Sequence, residues 1–193
     1  MGCKAIIIVQ GYLASGKSTF ARRLSEKLAV PCFVKDTFKI ALCASVPIDN
    51  REESSRFSAV TFDAMMYAAE KLMEAGYPVI VEGNFVPAGV KAVNEADVIR
   101  SLIEKHAYKP LTYRFIGDTR VLHERFVKRE GSAERGRVNT MFSEVLYDDF
   151  NRWCLNLDGF NVGGEVITVE TTDFNKVDFE KLFCAAQRFI EAA

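Results

Sequence analysis

The chain has 193 residues, 49% of them apolar, with 25 Lys and Arg against 26 Asp and Glu. That length suits one α/β domain over 1–193 and is too short for two well-separated cores. The balanced charge gives no electrostatic case for coating nucleic acid or an anionic membrane, so any anion binding must be local. The five cysteines, at 3, 32, 43, 154 and 184, are widely spaced with no C-x-x-C pair, which argues against a disulfide framework or zinc site and for small buried residues in a reducing cytosol.

In chain order, residues 5–9 (A-I-I-I-V) form an apolar, β-branched run that reads as a buried strand. The run is too short to cross a bilayer and is followed by no small-residue cleavage site, so neither a membrane anchor nor a leader is expected, and the expected location is cytoplasmic. Ile6 stands where a myristoylation signal needs Ser or Thr. Residues 11–18 (G-Y-L-A-S-G-K-S) match the Walker A pattern G-x-x-x-x-G-K-[ST], and 17–28 carry apolar residues at helical spacing. Gly11 and Gly16 permit the tight turn that brings backbone N–H groups against phosphate oxygens at a helix N-terminus. Gly11, Ala14, Ser15, Gly16, Lys17, Ser18 and Thr19 are therefore the expected contacts of a nucleoside triphosphate, with Lys17 reaching the β- and γ-phosphates and the Ser18 hydroxyl ligating Mg²⁺.

A second strand at 31–34 leads to Asp36. Ligands of open α/β sheets gather outside the carboxyl ends of the strands, so this carboxylate faces the same crevice and can accept the proton of an acceptor hydroxyl. It can equally cap a helix over 37–44 starting at Thr37. A helix over 54–75 places Phe57, Val60, Ala64, Tyr67, Ala68 and Leu72 on one stripe and ends at Gly76. The strand 78–82 closes on Glu82, the usual source of the carboxylate that holds Mg²⁺ or its waters, though Asp is commoner there; a plain strand-end charge is the alternative.

Further on, a helix is predicted at 94–106, a strand at 111–116 and a helix at 119–130. The last places Leu122 and Phe126 on one face and Arg125 and Arg129 on another. After Gly131 the chain turns polar and supplies Arg135 and Arg137, giving an Arg-rich lid at about 119–140 that closes guanidinium groups over the triphosphate. The alternative is a solvated face with Glu124 and Glu130 partnering the cations. A helix at 138–147, a Gly-containing loop at 156–164, a strand at 165–170 and a helix at 177–192 complete the pattern. His106 and His123 have no motif around them and read as surface or packing residues. Short apolar runs alternating with helices predict a parallel sheet covered on both faces.

The phosphate loop, Asp36 after strand two, the strand V-I-V-E-G-N-F at 79–85, the Arg-rich lid and the closing V-I-T-V-E-T-T-D at 166–173 together resemble the small P-loop kinases grouped with zeta toxins, chloramphenicol phosphotransferase and polynucleotide 5′-kinases. The likeness spans most of the chain and is most specific at the phosphate loop. It implies an α/β, three-layer P-loop NTPase fold with a five-stranded parallel sheet in the order 2-3-1-4-5. It also implies an ATP- and Mg²⁺-dependent phosphotransferase acting on a hydroxyl of a small-molecule or nucleotide-like acceptor. By resemblance Asp36 is the general base, Arg125 and Arg129 contact the nucleotide, and Thr172 and Asp173 flank the adenine.

No residue set reproduces the antibiotic or nucleotide-sugar pocket of those relatives, so the acceptor is not given. Arg51, Arg56, Phe57, Asn84 and Phe85 are the candidates to line its site. A nucleoside-monophosphate kinase would need arginines on a second phosphate, for which Arg51 and Arg56 stand without a framing motif. A nucleotide-dependent switch or binding module would need a water-positioning Gln or Asp and a partner surface, and nothing in the sequence marks either.

Overall fold

Every residue of β1 (Ala5–Gly11) is buried, because this strand lies at the middle of the sheet with apolar side chains on both faces. The computed structural model describes residues 3–46, 51–86, 94–130 and 145–193. Among these, β1 pairs in parallel with β3 (Val79–Glu82) on one side and β4 (Lys109–Ile116) on the other. β2 (Cys32–Val34) and β5 (Glu165–Glu170) close the edges and give the order β2-β3-β1-β4-β5. The predicted sheet order is therefore present.

Strand alternation sorts the core into two layers. Ile6 and Ile8 face α3 (Arg51–Glu74) and α4 (Glu95–His106), packing on Phe62, Met65, Ala69, Ile99 and Ile103. Ile7 and Val9 face α1 (Lys17–Leu28) and α7 (Phe179–Glu191), against Phe20, Leu24, Phe183 and Ala186. A third, smaller cluster joins α5 (Thr119–Glu130) and α6 (Tyr147–Leu155) through Leu122, Phe126, Phe150 and Cys154, with Tyr12, Leu13 and Ala14 of the phosphate loop packed against it. The stem of the expected lid thus rests on the phosphate loop itself.

Several expectations change. Tyr147 alone of the predicted helix 138–147 is helical among the described residues, 131–144 lying outside them, and the helix runs on to Leu155. Its only buried positions are Phe150 and Cys154, four apart, too sparse a pattern to read. In α3 the core-facing side is Phe62, Met65, Met66, Ala69 and Met73, whereas Val60 and Tyr67 of the predicted stripe are 54% and 65% exposed. This helix has apolar residues on two opposite faces, and periodicity does not say which one meets the sheet. α2 (Lys35–Leu42) begins before Thr37, with Val34 at its N-cap, so Asp36 sits in the first turn and does not cap the helix. Of the cysteines, all free, Cys43 and Cys154 are buried while Cys184 is exposed. Among the described residues no helix is long and apolar enough to cross a membrane.

Candidate functional site

The chain departs from β1 to β2 and β3 on one side and later to β4 and β5 on the other, so the crevice of this sheet lies at the carboxyl end of β1. There Gly11 has φ 137°, and a Cβ on it would meet the Phe115 carbonyl oxygen at 2.0 Å; only glycine fits between the two strands. Gly16, at φ 87°, is the N-cap of α1 and provides no side-chain cap, which leaves the first N–H groups of the helix facing the crevice. Ala14 is also held left-handed at φ 57°, a conformation costing a non-glycine residue roughly 1–2 kcal/mol.

One cleft gathers Leu13, Ala14, Ser15, Gly16, Lys17, Ser18 and Thr19 of the loop with Asp36 from α2, Glu82, Gly83 and Asn84 from the end of β3, and Arg129 from α5. The Lys17 ammonium is buried and donates to the Tyr12 carbonyl at 2.5 Å, a carbonyl that also accepts from the Ser15 hydroxyl at 2.7 Å. Burial pushes the Lys17 pKa down, while the carboxylates of Glu82 and Asp36 pull it back up. The Ser18 hydroxyl donates to Glu82 at 3.1 Å. Burial lifts the Glu82 carboxyl to about 7, against the opposing pull of Lys17 and helped by the negative charge of Asp36. A hydroxyl and a carboxylate at this separation are the hard oxygen donors that suit Mg²⁺. The Oδ1 atom of Asn84 is buried without a hydrogen-bond partner.

The two arginines of the expected lid divide. Arg125 donates to the carbonyls of Thr171 and Thr172, at 2.6 Å each, and its guanidinium lies 4.3 Å from the centre of the Phe174 ring. It lines a second pocket of about 390 Å³ with Ala14, Gly16, Thr19, Phe20, Arg23, Arg129, Phe174 and Phe179. Of the two arginines, Arg129 alone borders both pockets. Thr172 accepts from the Asp118 amide at 2.7 Å and Asp173 caps the turn Phe174–Lys176; neither lines this pocket, but the Thr172 carbonyl holds Arg125 and the Asp173-capped turn carries Phe174, both of which do.

Of the acceptor candidates, Asn84 reaches the cleft, Arg56 is exposed and Phe57 is half-buried. Phe85 is instead core, fully buried between Phe62 and Phe160. The Arg51 side chain and Arg135 and Arg137 lie outside the described residues. His106 pairs with Glu70 and His123 with the Val145 carbonyl, both away from the cleft. Sequence reasoning missed the Tyr12 carbonyl, Phe174, and the Tyr12 hydroxyl bonded to Asp158 at 2.8 Å; a backbone atom and aromatic or acidic loop residues leave no motif.

Residues 6–145 match the AAA domain family over more than half of the chain. The chain belongs to that family. Solved structures similar to this AAA domain protein include a candidate kinase from Chloroflexus aurantiacus, 23% identical with TM-score 0.83 over 100% of this chain and 98% of that one. A sugar kinase from a Janibacter species is 17% identical with TM-score 0.61, covering 98% and 96%. The APS kinase of Mycobacterium tuberculosis, in complex with AMPPNP and APS, is 11% identical with TM-score 0.63, covering 99% of each chain. At these identities the likeness establishes the fold. The family match is broader than the resemblance to zeta toxins, chloramphenicol phosphotransferase and polynucleotide kinases and does not single that group out. No curated protein sequence matches significantly.

Proposed function

We propose that this protein is an ATP-dependent kinase, one domain over 1–193 with its lid at about 119–140, that transfers the γ-phosphoryl group to a hydroxyl of a small-molecule or nucleotide-like acceptor. The observation that carries this reading is the single cleft in which the loop residues Gly16, Lys17 and Ser18 meet a strand-end carboxylate, a second carboxylate and a lid arginine. The names of fold neighbours support it: a sugar kinase, a gluconokinase and the APS kinase bound to AMPPNP.

In this reading the loop N–H groups and Lys17 hold the triphosphate, the adenine enters the pocket bordered by Arg125 and Phe174 beside the segment of Thr172 and Asp173, and Ser18 and Glu82 hold Mg²⁺. The metal supplies neutralisation of charge on the phosphates. Asp36 takes the proton from the acceptor hydroxyl as its oxygen bonds to the γ-phosphorus and the bond to the β-phosphate oxygen breaks, releasing ADP. Arg129 faces the charge that spreads over the transferring group. The test is ADP formation above a no-acceptor background across a panel of nucleosides, nucleotides, sugars and a 5′-hydroxyl oligonucleotide. No stimulation by any hydroxyl acceptor, with ATP hydrolysis unchanged, would return the protein to the switch class.

The geometry separates the arginines kinetically. Arg129→Ala is expected to lower kcat by about 10²-fold or more with little change in the KM for ATP, and Arg125→Ala to raise that KM with kcat largely kept. Equal effects on both parameters in both variants would contradict the division.

Glu82 sets a pH dependence. Its folded carboxyl holds a proton up to about pH 7, and Mg²⁺ binds the ionised form, so apparent Mg²⁺ affinity rises by up to about tenfold per pH unit below that point and levels off above it. Mg²⁺ titrations of ATP turnover between pH 6 and 8.5 measure this. Glu82→Gln should be weak in Mg²⁺ and flat with pH; a flat profile in the unaltered protein would contradict the assignment.

A further inference from the structure

The helix that carries Asp36 is anchored by charge. The two buried residues of α2 are Lys35 and Lys39, one turn apart on its inner face, while Phe38 packs on the core only partly. The Lys35 ammonium donates to Glu95 Oε1, in the first turn of α4, at 2.5 Å, and only 8% and 3% of the two side chains are exposed. The other carboxylate oxygen, Oε2, accepts from the Val86 N–H at 2.9 Å. The rings of Phe62 and Phe85 flank the ammonium, with their centres 5.3 and 5.9 Å away. Lys39 donates to the Ser54 hydroxyl of α3 at 2.7 Å. The Lys35 stem lies against the turn after β3: a Cβ on Gly83 would meet its Cβ and Cδ at 3.1 and 3.2 Å.

Adhesion alone does not call for buried lysines. Taking two charges out of water carries a desolvation cost that a well-packed apolar pair avoids, so such a pair is weak evidence of stability. What it supplies is direction, because a charge-assisted hydrogen bond tolerates little displacement. This one joins the first turn of α2, the segment 83–86 and the start of α4. Asp36 follows Lys35 directly, Glu82 and Asn84 flank Gly83, and these three border the cleft, which neither Lys35 nor Glu95 lines. We propose that Lys35 and Glu95 are positioning residues, whose buried pair pins α2 so that Asp36 stands at a fixed place opposite the turn of Glu82 and Asn84. The inference rests on the kinase reading for the role of Asp36, and goes beyond it in assigning what holds the proton acceptor in register with the rest of the cleft.

Hydrogen exchange by mass spectrometry, melting curves and turnover, compared between the unaltered protein and two variants, test the proposal. Glu95→Gln keeps an acceptor for Val86 but leaves the Lys35 ammonium without its counter-charge, so the melting temperature falls. Lys35→Met combined with Glu95→Gln removes that charge too, and the melting temperature should return close to that of the unaltered protein. This double variant should nevertheless exchange the backbone amides of α2 about tenfold faster, with those of β1 and α1 unchanged. Its kcat for the best hydroxyl acceptor of the panel should fall by about 10²-fold, the scale of a 1 Å misplacement, while the melting shift induced by ATP with Mg²⁺ is kept. Unchanged exchange in α2 overturns the proposal, as does turnover that recovers together with the melting temperature, the result expected of a purely structural pair. A double variant as unstable as Glu95→Gln, exchanging faster throughout the sheet, overturns it as well. If the unaltered protein phosphorylates no acceptor, the kinase reading fails by itself, and the exchange rates still decide whether the pair pins the helix.

Discussion

Asp36→Asn is expected to bind ATP with Mg²⁺ at near-normal affinity while turnover of the true acceptor falls by about 10²-fold or more, the scale of a lost general base. The substitution keeps the size and hydrogen-bonding shape of the side chain and removes only its capacity to take a proton. Glu82 is the other carboxylate bordering the cleft among the described residues, and it is bonded to the Ser18 hydroxyl, on the side proposed for the metal. The geometry also limits the structural cost. Asp36 lies in the first turn of α2, and the N-cap position belongs to Val34, so the substitution removes no helix cap, and the charge it removes from the positive end of the helix is worth about 0.3–1 kcal/mol. Thermal melts, nucleotide titrations and single-turnover rates together separate the two roles. Turnover retained in Asp36→Asn, or lost only in step with stability, would place the proton acceptor elsewhere.

The sequence legibility of this site follows the physics of each part. A strand apolar on both faces, followed by the spacing of Gly11, Gly16, Lys17 and Ser18, can be read because the loop's backbone conformation demands those residue types. Asp36 and Glu82 can be read because the carboxyl ends of parallel strands converge on one crevice, and the structure brings both to it. What fails is whatever depends on which of two equivalent faces is used. α3 is apolar on opposite sides, and only the sheet's own surface decides that Phe62 and Met65, not Val60 and Tyr67, turn inward. Phe85 follows a strand end where either core or pocket is open to it; its burial is decided by Phe62 and Phe160, brought in from distant parts of the chain. Arg125 and Arg129 share one helix face, and the confinement of Arg125 to the second pocket while Arg129 borders both depends on the loop after β5, whose carbonyls hold the Arg125 guanidinium.

Lys17→Ala should remove most of the stabilisation that ATP with Mg²⁺ gives the fold. Nucleotide at a hundred times its dissociation constant contributes about 2.7 kcal/mol to the unaltered protein, which for a chain of this length raises the melting temperature by roughly 5–10 °C. The Lys17 ammonium already lies in the cleft, held by the Tyr12 carbonyl and beside the charges of Glu82 and Asp36. Engaging phosphate therefore exchanges one acceptor for a more highly charged one and requires no new cavity. Burial disfavours this ammonium and neighbouring negative charge favours it; a bound triphosphate adds more of that charge and strengthens the pull. Truncating the side chain to a methyl group leaves the phosphate charge facing the loop N–H groups alone, and the Glu82 carboxylate loses the cation that favours its ionised form. The expected result is a nucleotide-induced shift reduced to less than about a third, with turnover down by about 10²-fold or more as the charge of the transferring group goes uncompensated. Equal shifts in the two proteins, or no shift in the unaltered protein at millimolar ATP, would show that the cleft is not a triphosphate site, and the roles given to Asp36, Glu82 and Arg129 would fall with it.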